Sequence, residues 1–221
     1  MTDAGRPIPT YVRRSGRMGS ASRVALRHGL PQRVLPSGCW SPRTTFPGYT
    51  QVVLEIGSGM GDAAVAMAIA DPATALIVAE VHDAGVAATV RAADAAGCEN
   101  LRVYHGDGLA ALSEHVLPGT LAGVRAWFPD PWPKRKHHKR RLITDEHVAL
   151  MVDRLQEGGT MHTATDVASY AEVMARVLGA ATSLQPVIVG GPRPQWRPQT
   201  KFERAGLAAG REIFDFIYRK A

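Results

Sequence analysis

The chain has 221 residues, 45% of them hydrophobic and 21% charged, with a formal net charge of +6. This composition predicts a packed globular protein rather than a disordered one. The longest apolar stretch, Ala63 to Ala70, falls well short of the ~20 residues of a membrane-spanning helix, no apolar signal-peptide core opens the chain, and Cys39 and Cys98 form no CxxC or Cys/His cluster, so the expectation is a cytoplasmic protein without a membrane anchor or a metal site.

In chain order, residues 1–50 come first. They hold eight arginines against one acid, Asp3, a net charge of +7, and are rich in Pro, Ser and Gly. They predict a basic N-terminal arm with one short helix over Ala21–His28. Residues 51–221 then sum to −1 and predict one domain. VVLEI (Val52–Ile56) is a short apolar run closed by glycines, the pattern of a buried strand. A helix follows over Asp62–Ala70, stopped by Asp71-Pro72, then a strand at Leu76–Glu80. Asp83 to Ala96 predicts an alanine-rich helix ended by Gly97. A third strand, Leu101–His105, leads to a short helix over Leu109–His115, and a fourth strand spans Val124–Phe128.

Beyond it, Thr144 or Asp145 caps a helix whose apolar face carries Val148, Met151, Val152 and Leu155, with Gly158-Gly159 as its stop. Then come a strand at Thr160–Thr165, a helix at Val167–Leu178, a strand at Leu184–Val189, a proline-rich loop and a last strand at Glu212–Arg219. Strands alternate with helices throughout, which predicts an α/β domain with a mostly parallel sheet. Ligands of such sheets bind beyond the carboxyl ends of the strands.

Those ends carry the candidate site. The first strand closes in Glu55-Ile56-Gly57-Ser58-Gly59-Met60-Gly61-Asp62. Gly57 and Gly59 permit a sharp turn and close approach of backbone to a ligand. Dinucleotide sites have G-x-G-x-x-G and present a helix N-terminus to a pyrophosphate. Here the third glycine position is Asp62, which would repel a pyrophosphate. An adenosine without phosphates, such as S-adenosylmethionine, fits better; a purely structural turn fits the glycines as well. Glu80, about twenty residues on, can accept from both ribose hydroxyls. Asp107 can accept from an adenine amine or cap the next helix. Glu55, under the glycine turn, can meet the ammonium of a methionine moiety.

The fourth strand runs into WFPDPWPKRKHHKRR (Trp127–Arg141). Pro129, Pro131 and Pro133 stiffen the segment and exclude a helix. Asp130 offers an acceptor for base N–H groups. Trp132 either stacks on a base or packs in the core. Lys134 to Arg141 holds six cations and two histidines; without that run the rest of residues 51–221 would carry −7. Two basic attachments on an acidic body point to a polyanion such as nucleic acid, or else to a solvated tail and loop.

Together, EIGSGMG, VAEVH, WFPDPWPKRKHHKRR, TATD and RPQTKFERAG, with YVRRSGRMG (Tyr11–Gly19) in the arm, resemble the bacterial tRNA (guanine-N7)-methyltransferase family. The resemblance spans nearly the whole chain, from about Tyr11 to Gly206. It implies a Rossmann-like class I methyltransferase fold, a seven-stranded, mostly parallel sheet with helices on both faces. It also implies S-adenosylmethionine as methyl donor, the variable loop of tRNA as substrate, and no metal or obligate protein partner. Carried over by position, the family's cofactor residues fall on Glu55, Gly57, Gly59, Glu80, Asp107 and Asp130, with Asp130 catalytic. Its substrate residues fall on Lys134, Asp166, Thr200, Lys201, Phe202 and Glu203. Its RNA-contacting segment falls on Lys136, His137, His138, Lys139, Arg140 and Arg141. Gly108 after Asp107 and Val78-Ala79 before Glu80 depart from the family's usual residues but leave the acids in place.

Three rivals remain on sequence. An N6-adenine or N4-cytosine methyltransferase would carry Asn/Asp-Pro-Pro-aromatic, whereas here the aromatic Trp132 comes one place earlier. An RNA-binding protein without activity would share the basic patches but has no use for Glu55, Glu80 and Asp107 together. A nicotinamide dehydrogenase is disfavoured by Asp62.

Overall fold

The computed structural model describes residues 8–12, 24, 33–35, 38–40 and 45–221. The helix expected over Ala21–His28 lies outside the described residues, Val24 excepted. Seven strands form one sheet: β1 (Gln51–Ile56), β2 (Thr74–Glu80), β3 (Leu101–His105), β4 (Leu121–Trp127), β5 (Leu155–Thr165), β6 (Leu184–Gly191) and β7 (Phe214–Lys220), in the order β3-β2-β1-β4-β5-β7-β6. β7 runs antiparallel to both β5 and β6, and the pairings from β3 to β5 are parallel. The sheet is therefore mostly parallel, as expected.

Alternation along the strands divides two cores, one on each face. Val53, Leu76, Val78, Leu101 and Val103 point to one face, under α1 (Asp62–Ala70) and α2 (Asp83–Ala95). Val52, Leu54, Ile77, Val124 and Met161 point to the other. There they meet Val148 and Met151 of α4 (Asp145–Arg154) and Tyr170 and Met174 of α5 (Ala168–Ala180). Between β3 and β4, α3 (Gly108–Ala110) runs into a π-helical turn at Ala111–His115. Because inward-facing side chains serve both faces, the central strands read as continuous apolar runs.

Pieces of the arm belong to this body. Leu35, Trp40 and Phe46 are buried in the larger core. Val34 bridges to Val103 at the β3 edge and Trp40 to Val116.

Three expectations shift. The helix expected to reach Gly158 ends at Arg154, and Leu155, fully buried, opens β5 instead. Leu155 pairs with Leu121 across a register irregularity, so cross-strand burial overrides its helical spacing. The stretch Lys201–Ala208, expected as loop, is a helix, α6. Its start was legible as Thr-x-x-Glu: the Thr200 hydroxyl accepts from the Glu203 N–H at 3.1 Å. Finally, Phe128 leaves β4 with φ 56°, rather than ending the strand.

Candidate active site

Strand order reverses between β1 and β4, so the loops after these two strands flank the crevice where such sheets bind ligands. The β1 loop turns through Gly57, Gly59 and Gly61, with φ of 77°, 61° and 85°. Close packing requires glycine at two positions here. A Cβ on Gly61 would lie 2.3 Å from the Thr89 hydroxyl of α2, and one on Gly85 would lie 2.2 Å from the Gly59 carbonyl. Glu80 is buried beneath this contact. Its Oε2 accepts from the Gly59 N–H at 2.9 Å, and its Oε1 from the Val81 and His82 N–H groups, each at 2.8 Å. A carboxylate accepts about four hydrogen bonds, so Glu80 braces the loop and keeps capacity for about one ligand hydroxyl. Asp107, half-buried at the end of β3, caps α3 by accepting from the Leu109 N–H at 2.8 Å.

Glu55 is 3% exposed, and its Oε2 has no hydrogen-bond partner. Burial pushes its carboxyl up to about 7; Arg125, its register partner on β4, opposes the rise and Glu80 adds to it. A cationic ligand group would restore the charge. Glu55, Gly57, Ser58 and Trp127 line one side of a narrow cleft, and Thr200 and Phe202 of the α6 start face them. Glu80, Asp107 and Asp130 stand at neighbouring strand ends without lining this cleft.

The β4 loop is strained. Phe128 and Trp132 adopt φ of 56° and 44°, each a conformation costing about 1–3 kcal/mol outside glycine. Several contacts hold it. The Phe128 N–H donates to the Ala164 carbonyl at 2.8 Å. The Trp132 indole N–H donates to the Thr10 carbonyl of the arm at 2.8 Å. Arg140 lies 4.7 Å over the Trp132 ring, and His137 meets it edge-on. Between these anchors Asp130 is exposed, with Oδ2 accepting from the Val12 N–H at 3.2 Å. Trp132 thus supports the loop from inside while the arm crosses the carboxylate.

Lys134 leads into a 3-10 helix, Arg135–Arg140, with no buried residue. Lys134, Lys136, His138 and Lys139 are exposed, a compact cationic surface beside Asp130. Arg141, expected among the RNA contacts, faces inward. It is 5% exposed, donates from Nε to the Pro131 carbonyl at 3.0 Å and lies over the Tyr170 ring. The proline-rich loop left a carbonyl that only a buried donor could satisfy.

Glu203, expected to meet substrate, is likewise turned inward. Its carboxylate accepts from Arg193 at 2.9 Å and Arg197 at 2.7 Å. Arg197, fully buried, also grips both oxygens of Asp215 at 2.8 Å, and Asp215 accepts from His162 Nε2 at 2.6 Å. Burial pushes His162 down, so the neutral ring donates from Nε2. Burial would raise Asp215, but hydrogen bonds from His162 and Arg197 hold it below the usual carboxylate range. Asp166 is tied to Arg211 at 2.8 Å. Lys201 and Phe202 stay exposed, the Lys201 ammonium lying 5.0 Å over the Phe202 ring. Sequence reasoning missed Arg125, Arg197, His162 and Asp215. Their one signal was a charge or imidazole within apolar strand or aromatic surroundings, which predicts pairing.

A family model described as "Putative methyltransferase" matches residues 49–216. A tRNA (guanine-N(7)-)-methyltransferase of Paraburkholderia xenovorans is 40% identical over 97% of this chain and 84% of its own length. One from Nitrosospira multiformis is 41% identical over 97% and 95%, and one from Streptomyces coelicolor 45% identical over 79% and 66%. Among solved structures, the antibiotic-resistance methyltransferase Kmr shares the fold with a TM-score of 0.56 at 17% identity, over 84% of this chain and 95% of that one. TrmN from Thermus thermophilus does so with 0.54 at 14%, over 81% and 47%. With this sheet order, this crevice and this likeness along nearly its full length, the chain belongs to the tRNA (guanine-N7)-methyltransferase family.

Proposed function

We propose that this protein is a cytoplasmic enzyme that methylates N7 of a guanine in the variable loop of tRNA, with S-adenosylmethionine as donor. One observation carries the proposal. The cleft at Glu55 and the exposed, proline-flanked Asp130 with its basic surface follow adjacent strands, β1 and β4, at the switch point. Such adjacency brings a small donor and a polyanionic acceptor to one place. The buried Oε2 of Glu55 fits a donor that carries an ammonium group. Asp62, exposed at the start of α1, disfavours a pyrophosphate there.

The donor supplies an electrophilic methyl group on a sulfonium. Guanine N7 carries a lone pair and no proton, so the chain need not provide a strong base. Its task is alignment. Lys134, Lys136, His137, His138, Lys139 and Arg140 would hold phosphates around the variable loop. Asp130 would accept from guanine N–H groups and stabilise the positive charge that the ring acquires. Guanine binding would displace the Val12 N–H from that carboxylate. Glu80 and Asp107 would hold the adenosine, while Lys201 and Phe202 would form the wall opposite the glycine loop. Glu203, Thr200 and Asp166 would keep that wall in position.

The test is incubation of unmodified tRNA with labelled S-adenosylmethionine, followed by aniline cleavage to map the label. Cleavage at a variable-loop guanine is expected. Label on adenine or cytosine, or no transfer at all, would overturn the proposal.

A further inference from the structure

Among the described residues, four buried side-chain nitrogen or oxygen atoms lack a hydrogen-bond partner: Glu55 Oε2, Ser58 Oγ, Trp127 Nε1 and His162 Nδ1. Orphaned buried polar atoms are rare in folded proteins, because each forfeits its hydration. Three of the four belong to residues that line the single cleft between the glycine loop and the start of α6. They differ in kind. Glu55 can only accept when ionised, the indole of Trp127 can only donate, and the hydroxyl of Ser58 can do either.

The cleft's charges are divided in the same way. Glu55 and Asp62 supply acids on the side of β1 and α1, and Lys201 is the one cation among the lining residues. Lys201 sits in the first turn of α6, where the helix's positive end also favours an anion. One acidic side and one donating, cationic side match a group that bears both charges a few bonds apart. An α-amino acid zwitterion is such a group.

Resting on the methyl-donor assignment above, we propose that Ser58, Trp127 and Lys201 receive the carboxylate of the donor's amino-acid end while Glu55 receives its ammonium. The Ser58 hydroxyl and the Trp127 indole N–H each donate one hydrogen bond, and the Lys201 ammonium leaves the Phe202 ring to supply the countercharge. Trp127 is then more than a wall of the core under α1. It is a binding residue that fixes the methionine end, and with it the sulfonium, relative to the Asp130 loop that begins one residue later. The sequence hides this role, because Trp127 reads as the last apolar residue of a strand.

The test compares two ligands by calorimetry, S-adenosylhomocysteine and its decarboxylated analogue, on the native protein and on Trp127→Phe, Ser58→Ala and Lys201→Met. Hydrogen bonds to a charged group predict that Trp127→Phe and Ser58→Ala each weaken S-adenosylhomocysteine about tenfold or more. Affinity for the decarboxylated analogue should change less than about twofold, so the native preference for the carboxylate collapses. Lys201→Met should reduce the same preference. If all three variants leave the ratio of the two affinities unchanged, the assignment is overturned. Trp127 and His162 stand edge to face at 5.3 Å, so their two orphaned nitrogens could instead share a buried water. In that case Trp127→Phe lowers the melting temperature and leaves the ratio intact, which removes Trp127 from the site. A native protein that binds neither ligand overturns the methyl-donor assignment itself, a result separate from an unchanged ratio.

Discussion

The two halves of the carboxyl edge of the sheet are built on opposite principles. On the β1–β3 side the site is made by backbone. Three glycines turn the chain, and Glu80 is held by three N–H groups within two residues of itself or across the α2 contact. On the β4–β7 side it is made by buried charge. Arg197 joins Asp215, Glu203 and, through its position 5.7 Å over the Phe128 ring, the strained turn that presents Asp130. The first half is local and tolerates side-chain change away from its glycines and acids. The second is a long-range network in which one missing group leaves others unpaired. A rigid cofactor loop and an ion-braced acceptor loop divide the work of alignment between them.

The sharpest way to break this contrast is Arg197→Met. Removing the guanidinium leaves Asp215 with only His162 and Glu203 with only Arg193. Breaking a buried ion pair from one side costs about 3–5 kcal/mol. Denaturant unfolding should show that loss. Methylation should fall with it, because the α6 start and the Phe128 turn lose their common anchor. A stability change below about 1 kcal/mol would mean that the network does not brace this half.

Asp130→Asn comes next. It keeps the shape of the loop and removes the charge. Loss of one group aimed at developing charge lowers turnover about 100-fold to 1,000-fold. Affinity for S-adenosylhomocysteine should barely move, since Asp130 does not line the Glu55 cleft. Single-turnover rates on unmodified tRNA measure the first effect and calorimetry the second. Near-native turnover would strip Asp130 of any electrostatic role.

The cofactor half responds to pH instead. Glu55 titrates near 7 in the folded chain and near 4.5 unfolded. Between those values the folded state holds a proton that the unfolded state has released. Stability therefore falls as pH rises through that window, and Glu55→Gln should flatten the dependence. Ligand affinity runs the other way. An ammonium needs the ionised carboxylate, so affinity for S-adenosylhomocysteine should drop by up to about tenfold per unit below about pH 7. Calorimetry across pH, with Glu55→Gln as control, checks both the size and the sign. A flat profile would mean that Glu55 does not meet the cation.

The same contrast explains what the sequence made legible. Glycine spacing, the acid at each strand end and the alternation of strands with helices are local signals, and they placed Glu55, Glu80 and Asp107 at the ends of β1, β2 and β3. Asp130 was legible because three prolines announce a stiff loop. Arg197 and Asp215 were not, because 18 residues separate them and only the antiparallel return of β7 beside β5 brings them together. Glu203 and Arg141 failed for the same reason in reverse. Each lies within a polar or basic sequence stretch, yet tertiary packing turns the side chain inward. Sequence shows which residue types are present at an edge; it does not show which charges the fold will bury there.

That difference between exposed and buried charge yields the smallest effect and the finest discrimination within a single run of cations. Lys136 and Lys139 are exposed on the 3-10 helix, whereas Arg141, directly after it, is fixed under Pro131 and over Tyr170. A lysine that neutralises one phosphate contributes about 0.7–0.9 to the slope of log affinity against log salt. Lys136→Ala and Lys139→Ala should each reduce that slope for tRNA by about this amount, with little change in stability. Arg141→Met should leave the slope unchanged but lower the melting temperature, since the Pro131 carbonyl loses its donor and Tyr170 its cation. Filter binding across a salt series, alongside thermal unfolding, separates the two behaviours. If Arg141→Met lowers the slope as the lysine variants do, the guanidinium turns outward to meet RNA, and the brace on the Asp130 loop must come from Trp132 and the arm alone.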